Sequence, residues 1–328
     1  TTTSVMASSA ASLASRAMKH VHASLVIALA LFAPTTTAST QEAPRNRAHI
    51  DVRVDPRVEL LTTVARLAGF AEFNMANSNS PYSVRVEQRF GPHAEHAVVA
   101  TLRELRAERG VSYDAIASLA MHLDAASTLA ERIPFDARPE RLDARWGVEG
   151  ARKFVAQLRD FAELTKAGEF FESERAFYAA VEERLSQRLS QSKALPWFDA
   201  FFGAKAGARY VAVAGLLCGG GNFGVGVRFA DGTPEEVTPV FGCWTFDEQG
   251  VPLFGDAYLP LFVHELCHTY TNPFVDRFER ELSASGAALH ASCAEAMARQ
   301  SYGTWKTMVY ESLVRASVVR CRLVTEGR

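Results

Sequence analysis

His264 and His268 stand four residues apart in His264-Glu265-Leu266-Cys267-His268. On a helix that spacing brings both imidazoles out on one face, about one turn apart, where they can ligate a single ion. Neutral imidazoles suit zinc (Zn2+). Glu265 is rotated around the helix far enough to miss the ion, yet stays close enough to take a proton from water activated there. Metal, nucleophile and general base are thus expected within five residues. The alternative is a solvent-exposed histidine pair. It is disfavoured by Leu259, Leu261, Phe262, Val263 and Leu266, which make the helix apolar on most sides and so point to burial.

A catalytic zinc takes a third protein ligand and keeps one position open. The extended metzincin pattern would need Gly at 271 and His at 274, where this chain has Thr271 and Phe274. The downstream candidates are Asp276, Glu279, Glu281, His290, Glu295 and Glu311, and helix context favours Glu311. It lies in a helical run that is apolar nearly all round, where a charge must be paired or bound to metal. An ion pair with Arg315, four residues on, is the competing reading. The two are compatible if Arg315 orients the ligating carboxylate. Amide hydrolysis also calls for a hydrogen-bond donor beside the metal. Tyr302, His290, Tyr310 and Tyr270 are candidates, with Tyr302, just before Gly303, the one selected.

The elements that must position these residues begin with a helix from about Pro260, expected to stop at Asn272-Pro273 because proline ends the run. Two further helices follow, at about 274–300 and 304–324. Upstream, Arg209 to Leu217 and Glu236 to Trp244 read as strands. Gly219 to Gly224 reads as a turn and not a phosphate loop, since no Gly-Lys-Ser/Thr follows. The earlier half reads as helical, with an amphipathic helix from Val52 to Gly69 and others at about 93–109, 113–129, 148–167 and 172–191. Asn74 to Ser80, then Pro81, reads as a loop.

Val263 to His268, Asn272-Pro273, Tyr302-Gly303-Thr304-Trp305 and Tyr310 to Ala316 together resemble the bacterial family termed domain of unknown function 4932, from about Ile50 to the end. The resemblance implies a zincin-like protein with Glu311 as third ligand, the glutamate-zincin arrangement, and supplies no substrate. Its members are usually longer at the C-terminus, so the segment carrying part of the cleft is expected to be missing here. The expected fold is α+β: a helical N-terminal region over 40–195, then a small sheet and a zincin-like helical catalytic region over 196–328. In such an architecture a sheet edge above the motif helix pairs with an extended peptide, and Tyr210 to Leu217 or Glu236 to Trp244 is the expected edge.

The wider composition bounds the function class. With 328 residues and 48% apolar content the chain can bury a substantial core. Its 35 basic and 37 acidic residues are interspersed, which excludes an electrostatic footprint for nucleic acid. Starting at Met18, Lys19-His20 precedes the apolar stretch Ala23 to Ala33 and the small residues up to Thr40, the layout of a secretory signal peptide within a leader over 1–39. That stretch is short for a bilayer, so no membrane span is expected in the mature chain. The first residue is Thr, and the chain stops at Arg328 directly after a helical run, which reads as a fragment or displaced start with an incomplete C-terminus. The five cysteines form no disulfide framework; Cys218 and Cys243 are either bridged or free and buried. The whole reads as a secreted or periplasmic zinc metallohydrolase, a peptidase acting on a peptide or protein substrate. The rivals are a zinc-stabilised binding protein of the cell envelope without turnover, and a non-peptide amidase.

Overall fold

The apolar run at Arg209 does form a strand, and its partners come from both sides of it in sequence. The computed structural model describes residues 50–327 apart from 77–78, 138–141, 206 and 301. The leader with its signal-peptide layout lies outside the described residues. Strands β1 (Ile50–Arg53), β2 (Arg209–Gly215), β3 (Asn222–Val227) and β4 (Glu236–Gly242) make one sheet in the order β1-β2-β4-β3. β1 runs parallel to β2 with Ile50 opposite Tyr210, and β2 parallel to β4 with Arg209 opposite Glu236. β3 closes the sheet antiparallel to β4, with Asn222 opposite Phe241.

Three expectations change here. Val52 lies in β1, and the helix that follows, α1 (Pro56–Leu67), starts only at Pro56, capped by the Asp55 side chain accepting from the Arg57 N–H. β2 and β4 are inner strands, so neither is the free edge; the edge nearest the motif helix is β3, which begins inside the run expected to be a glycine turn. Pro81 likewise opens a helix, α2 (Pro81–Phe90), because Ser80 and Ser83 form a reciprocal capping box and proline at the first helical position loses no needed bond.

The remaining helices are α3 (Ala97–Arg109), α4 (Asp114–His122), α5 (Val148–Leu164), α6 (Ala167–Ser173), α7 (Arg175–Leu189), α8 (Ala194–Phe202), α9 (Tyr258–Arg277), α10 (Glu279–Ala298) and α11 (Trp305–Thr325). The α+β class holds, and the described residues form one compact unit. The core is continuous: α4 packs on β3, α7 on β1, and α9 lies between the sheet and α11. Among the described residues no helix is long and apolar enough to cross a membrane. All five cysteines are free, four of them buried.

One buried acid has a consequence for stability. Glu59 on α1 is fully buried, and its Oε1 accepts the Leu216 N–H at 2.9 Å. Burial pushes its carboxyl from 4.5 up to about 8. Between those values the folded chain holds a proton that the unfolded chain has released, so stability falls as pH rises, by up to about 1.4 kcal/mol per pH unit. Glu59→Gln keeps the acceptor and removes the titration. Urea unfolding at about pH 5 and about pH 8 is expected to show a shallower loss of stability than in the parent; an equal slope would place the proton elsewhere.

Candidate metal centre

The motif helix is fixed at both ends and along its length. Near its start, Tyr258 stacks on Trp244 at 4.6 Å between ring centroids and donates its hydroxyl to the Gly242 carbonyl at 2.8 Å. Towards its end, Tyr270 stacks on Phe198 and Phe202 of α8 and exchanges a 3.0 Å hydrogen bond with Tyr210 of β2. Helix α8 has no counterpart in the sequence reading, although its aromatic run is what clamps α9. Between these anchors β3 crosses very near: a Cβ on Gly224 would stand 2.5 Å from the Glu265 carbonyl oxygen. Only glycine allows strand and helix this approach.

Helix α9 does not stop at Asn272-Pro273 but runs on to Arg277 with Pro273 inside it. A proline at this position leaves the carbonyl four residues earlier, that of Thr269, without its helical donor. Lys205 Nζ supplies one, donating to the Thr269 carbonyl at 3.1 Å. A side chain from outside the helix thus replaces the missing N–H, which local sequence rules have no means to anticipate.

His264, His268 and Glu311 converge. His264 Nε2 lies 3.6 Å from Glu311 Oε2, His268 Nε2 lies 3.4 Å from Glu311 Oε1, and the three ligand atoms all fall within 4.8 Å of one another. A tetrahedral ion with bonds of ~2.0–2.1 Å spaces its ligand atoms ~3.4 Å apart, so the set can hold a metal ion with little adjustment. All three side chains are partly buried. Burial, then the neighbouring His268, pulls the His264 imidazole down to about 4, which keeps it neutral and its lone pair available near neutral pH.

Two of the three ligands, His268 and Glu311, are steered by a neighbour. His268 Nδ1 faces Asn272 Oδ1 at 3.2 Å; with Nδ1 donating, Nε2 is left as the acceptor towards the metal position. Tyr302 donates its hydroxyl to Glu311 Oε2 at 3.0 Å and receives Arg315 Nη2 at 2.6 Å. Arg315 Nε stands 3.9 Å from Glu311. Arg315 therefore orients the carboxylate largely through Tyr302, and the Tyr302 hydroxyl, read as a donor to substrate, is engaged with Glu311. Burial, and then the Glu311 charge, raises the Tyr302 phenol and keeps it protonated.

Glu265 sits beside the cluster with 5% of its surface exposed. Burial, then the charges of Glu311 and Asp114, pushes its carboxyl up to about 8, against an opposing Gly224 N–H. A cation among the three ligands would offset the Glu311 charge and favour the carboxylate form.

The other candidates stay outside the cluster. Asp276 and Glu279 share Lys306, Glu281 pairs with Arg280, and Glu295 pairs with Arg299. Tyr310 donates to Asp276, and His290 Nε2 meets the Tyr302 carbonyl at 3.0 Å. Two residues with site roles had been given none from sequence. Asn272 follows His268 by four, a spacing that signals a shared helix face; Gly224 carried no signal beyond being a glycine near a strand.

No curated protein and no solved structure matches this chain. The model of one family, described as a domain of unknown function (DUF4932), matches residues 50–326. The match spans the sheet, α9 and α11 together, so the unit that brings His264, His268 and Glu311 to one point is the family's own, and the chain belongs to the DUF4932 family.

Proposed function

We propose that this protein is an exported zinc-dependent hydrolase that cleaves peptide bonds, with His264, His268 and Glu311 as metal ligands and Glu265 as general base. The observation that carries the reading is the meeting of two helix-borne imidazoles with a carboxylate from a separate helix, all three ligand atoms within 4.8 Å of one another, beside a buried glutamate. Zinc, when bound, supplies Lewis acidity that polarises a carbonyl and acidifies water. The Glu265 carboxylate accepts the proton from the attacking water and passes it to the leaving amine. Asn272 holds His268 in the ligating tautomer, and Tyr302 with Arg315 holds Glu311 in place. The outer edge of β3 gives an extended substrate backbone groups to pair with, beside the base. The Met18-to-Thr40 layout supports a secreted or periplasmic location.

The test is zinc content per chain in wild type, His264→Ala and Glu311→Ala, followed by digestion of a broad peptide library by the same samples. One zinc in wild type, lost in both variants, with chelator-sensitive cleavage, is the expected result. Zinc retained in Glu311→Ala would move the third ligand elsewhere. Zinc without any cleavage would favour a binding protein or a non-peptide amidase.

A further inference from the structure

A groove of about 610 Å³ leads away from the metal centre, starting at His268 and running between β3, from Gly224 to Val227, and the second half of α9 as far as Arg277. Its wall is charged, and the charges are unequally engaged. Glu235 is met by both Lys205 and Arg228. Glu236, almost wholly buried, is met by Arg53, Arg132 and Arg209. Asp276 is held by Lys306 and by the Tyr310 hydroxyl. Every carboxylate on the wall thus already has at least one cation. Arg277 is different: it is exposed, makes no ion pair among the described residues, and rests its guanidinium over the Phe278 ring at 5.6 Å.

We infer that the groove selects an extended peptide carrying a carboxylate, received by Arg277 at the end remote from the metal. The inference rests on the peptidase reading and adds the substrate class to it. A substrate cation would find no carboxylate left to pair with, whereas a substrate anion meets a guanidinium whose planar fork suits carboxylate. The spacing sets the position. Arg277 stands nine helical steps beyond His268, a rise of ~13 Å at ~1.5 Å each. An extended peptide covers that span in about four residues at ~3.3 Å each. The carboxylate is therefore expected about four residues from the cleaved bond, on one side only. An acidic side chain or a free C-terminal carboxylate would each serve.

The experiment digests a peptide library randomised at every position, half of it with amidated C-termini, with wild type and with Arg277→Glu. Expected in wild type is about fivefold enrichment of the carboxylate at that distance, the order seen for exposed ion pairs. In Arg277→Glu the preference should invert towards Lys and Arg. Loss of the enrichment in the amidated half identifies the terminal carboxylate as the group read; its persistence there identifies an acidic side chain. Cleavage with the same profile in both proteins, or with no charge preference in either, overturns the inference and leaves the hydrolase standing. If neither protein cleaves, the peptidase reading fails, and binding decides the groove's role separately. Fluorescence anisotropy of labelled Asp-containing and Lys-containing nonapeptides, in the Glu265→Gln background with and without Arg277→Glu, should then still show the inversion. Equal binding of both peptides to both proteins overturns it.

Discussion

Replacing Glu265 with Gln is expected to leave one zinc per chain in place and to lower peptide hydrolysis by about two to four orders of magnitude, the usual contribution of a positioned general base. Glu265 is not among the three clustered ligand residues, so removing its charge does not remove a ligand. The amide keeps the side chain's size, and at a residue 5% exposed this avoids a cavity. The loss should fall on kcat rather than KM, since the proton is moved in the transition state. A second effect runs the other way. In the metal-free chain the Glu265 carboxyl is held up at about 8, mainly by burial. The folded state then keeps a proton that the unfolded chain gives up above about 4.5, and stability declines as pH rises between the two values. Glu265→Gln removes that decline, so the metal-free variant should resist urea better than wild type near neutral pH. A substitution that abolishes turnover while stabilising the fold is the signature of a residue kept for chemistry. Glu265→Gln with unchanged hydrolysis would falsify the assignment, and loss of zinc would make Glu265 a structural support of the centre.

The centre was legible in the sequence because its chemistry is local. Two histidines and a glutamate within five residues declare themselves through helical spacing alone, and Glu311 stands out as the one acid in the mostly apolar run from Thr307 to Val319. What sequence could not carry is whatever depends on distant partners. β1 is four residues long and is a strand because it pairs with β2, far along the chain. Asn222-Phe223-Gly224-Val225-Gly226-Val227 has the glycine content of a turn, yet pairs with β4 as the edge strand, its two glycines lying where α9 and β4 leave no room for a side chain. Pro273 obeys the rule that forbids its N–H, but Lys205 breaks the expected consequence by supplying a donor from elsewhere. In each case a local preference gave way to a tertiary contact.

The glycines of β3 allow this dependence to be tested with two substitutions of equal size and different consequence. At Gly224 a methyl group would meet the Glu265 carbonyl oxygen at 2.5 Å and the His268 Cβ at 3.1 Å. At Gly226 it would meet the Glu236 carbonyl oxygen at the same 2.5 Å, away from α9. Both obstacles are backbone held by regular structure, so neither can swing aside. Gly224→Ala and Gly226→Ala are each expected to destabilise the chain by about 1–3 kcal/mol, the usual cost of overpacking. Gly168→Ala, in α6 with nothing within 4 Å, should instead be neutral or stabilise by about 0.5–1 kcal/mol. The metal centre separates the first two. Relief at Gly224 requires β3 and α9 to move apart along the turn that carries His264 and His268, which tilts the imidazoles relative to Glu311 on α11. Zinc affinity should fall about 10- to 100-fold, as when ligand orientation is disturbed. Relief at Gly226 displaces β3 from β4 and leaves the ligand-bearing turn alone, so zinc affinity should change little. The readout is a competitive zinc titration on folded protein, compared with the urea midpoint of each variant. Equal loss of zinc affinity in both would mean that the centre follows overall stability; loss confined to Gly224→Ala would mean that the contact between an edge strand and one turn of helix sets the ligand geometry.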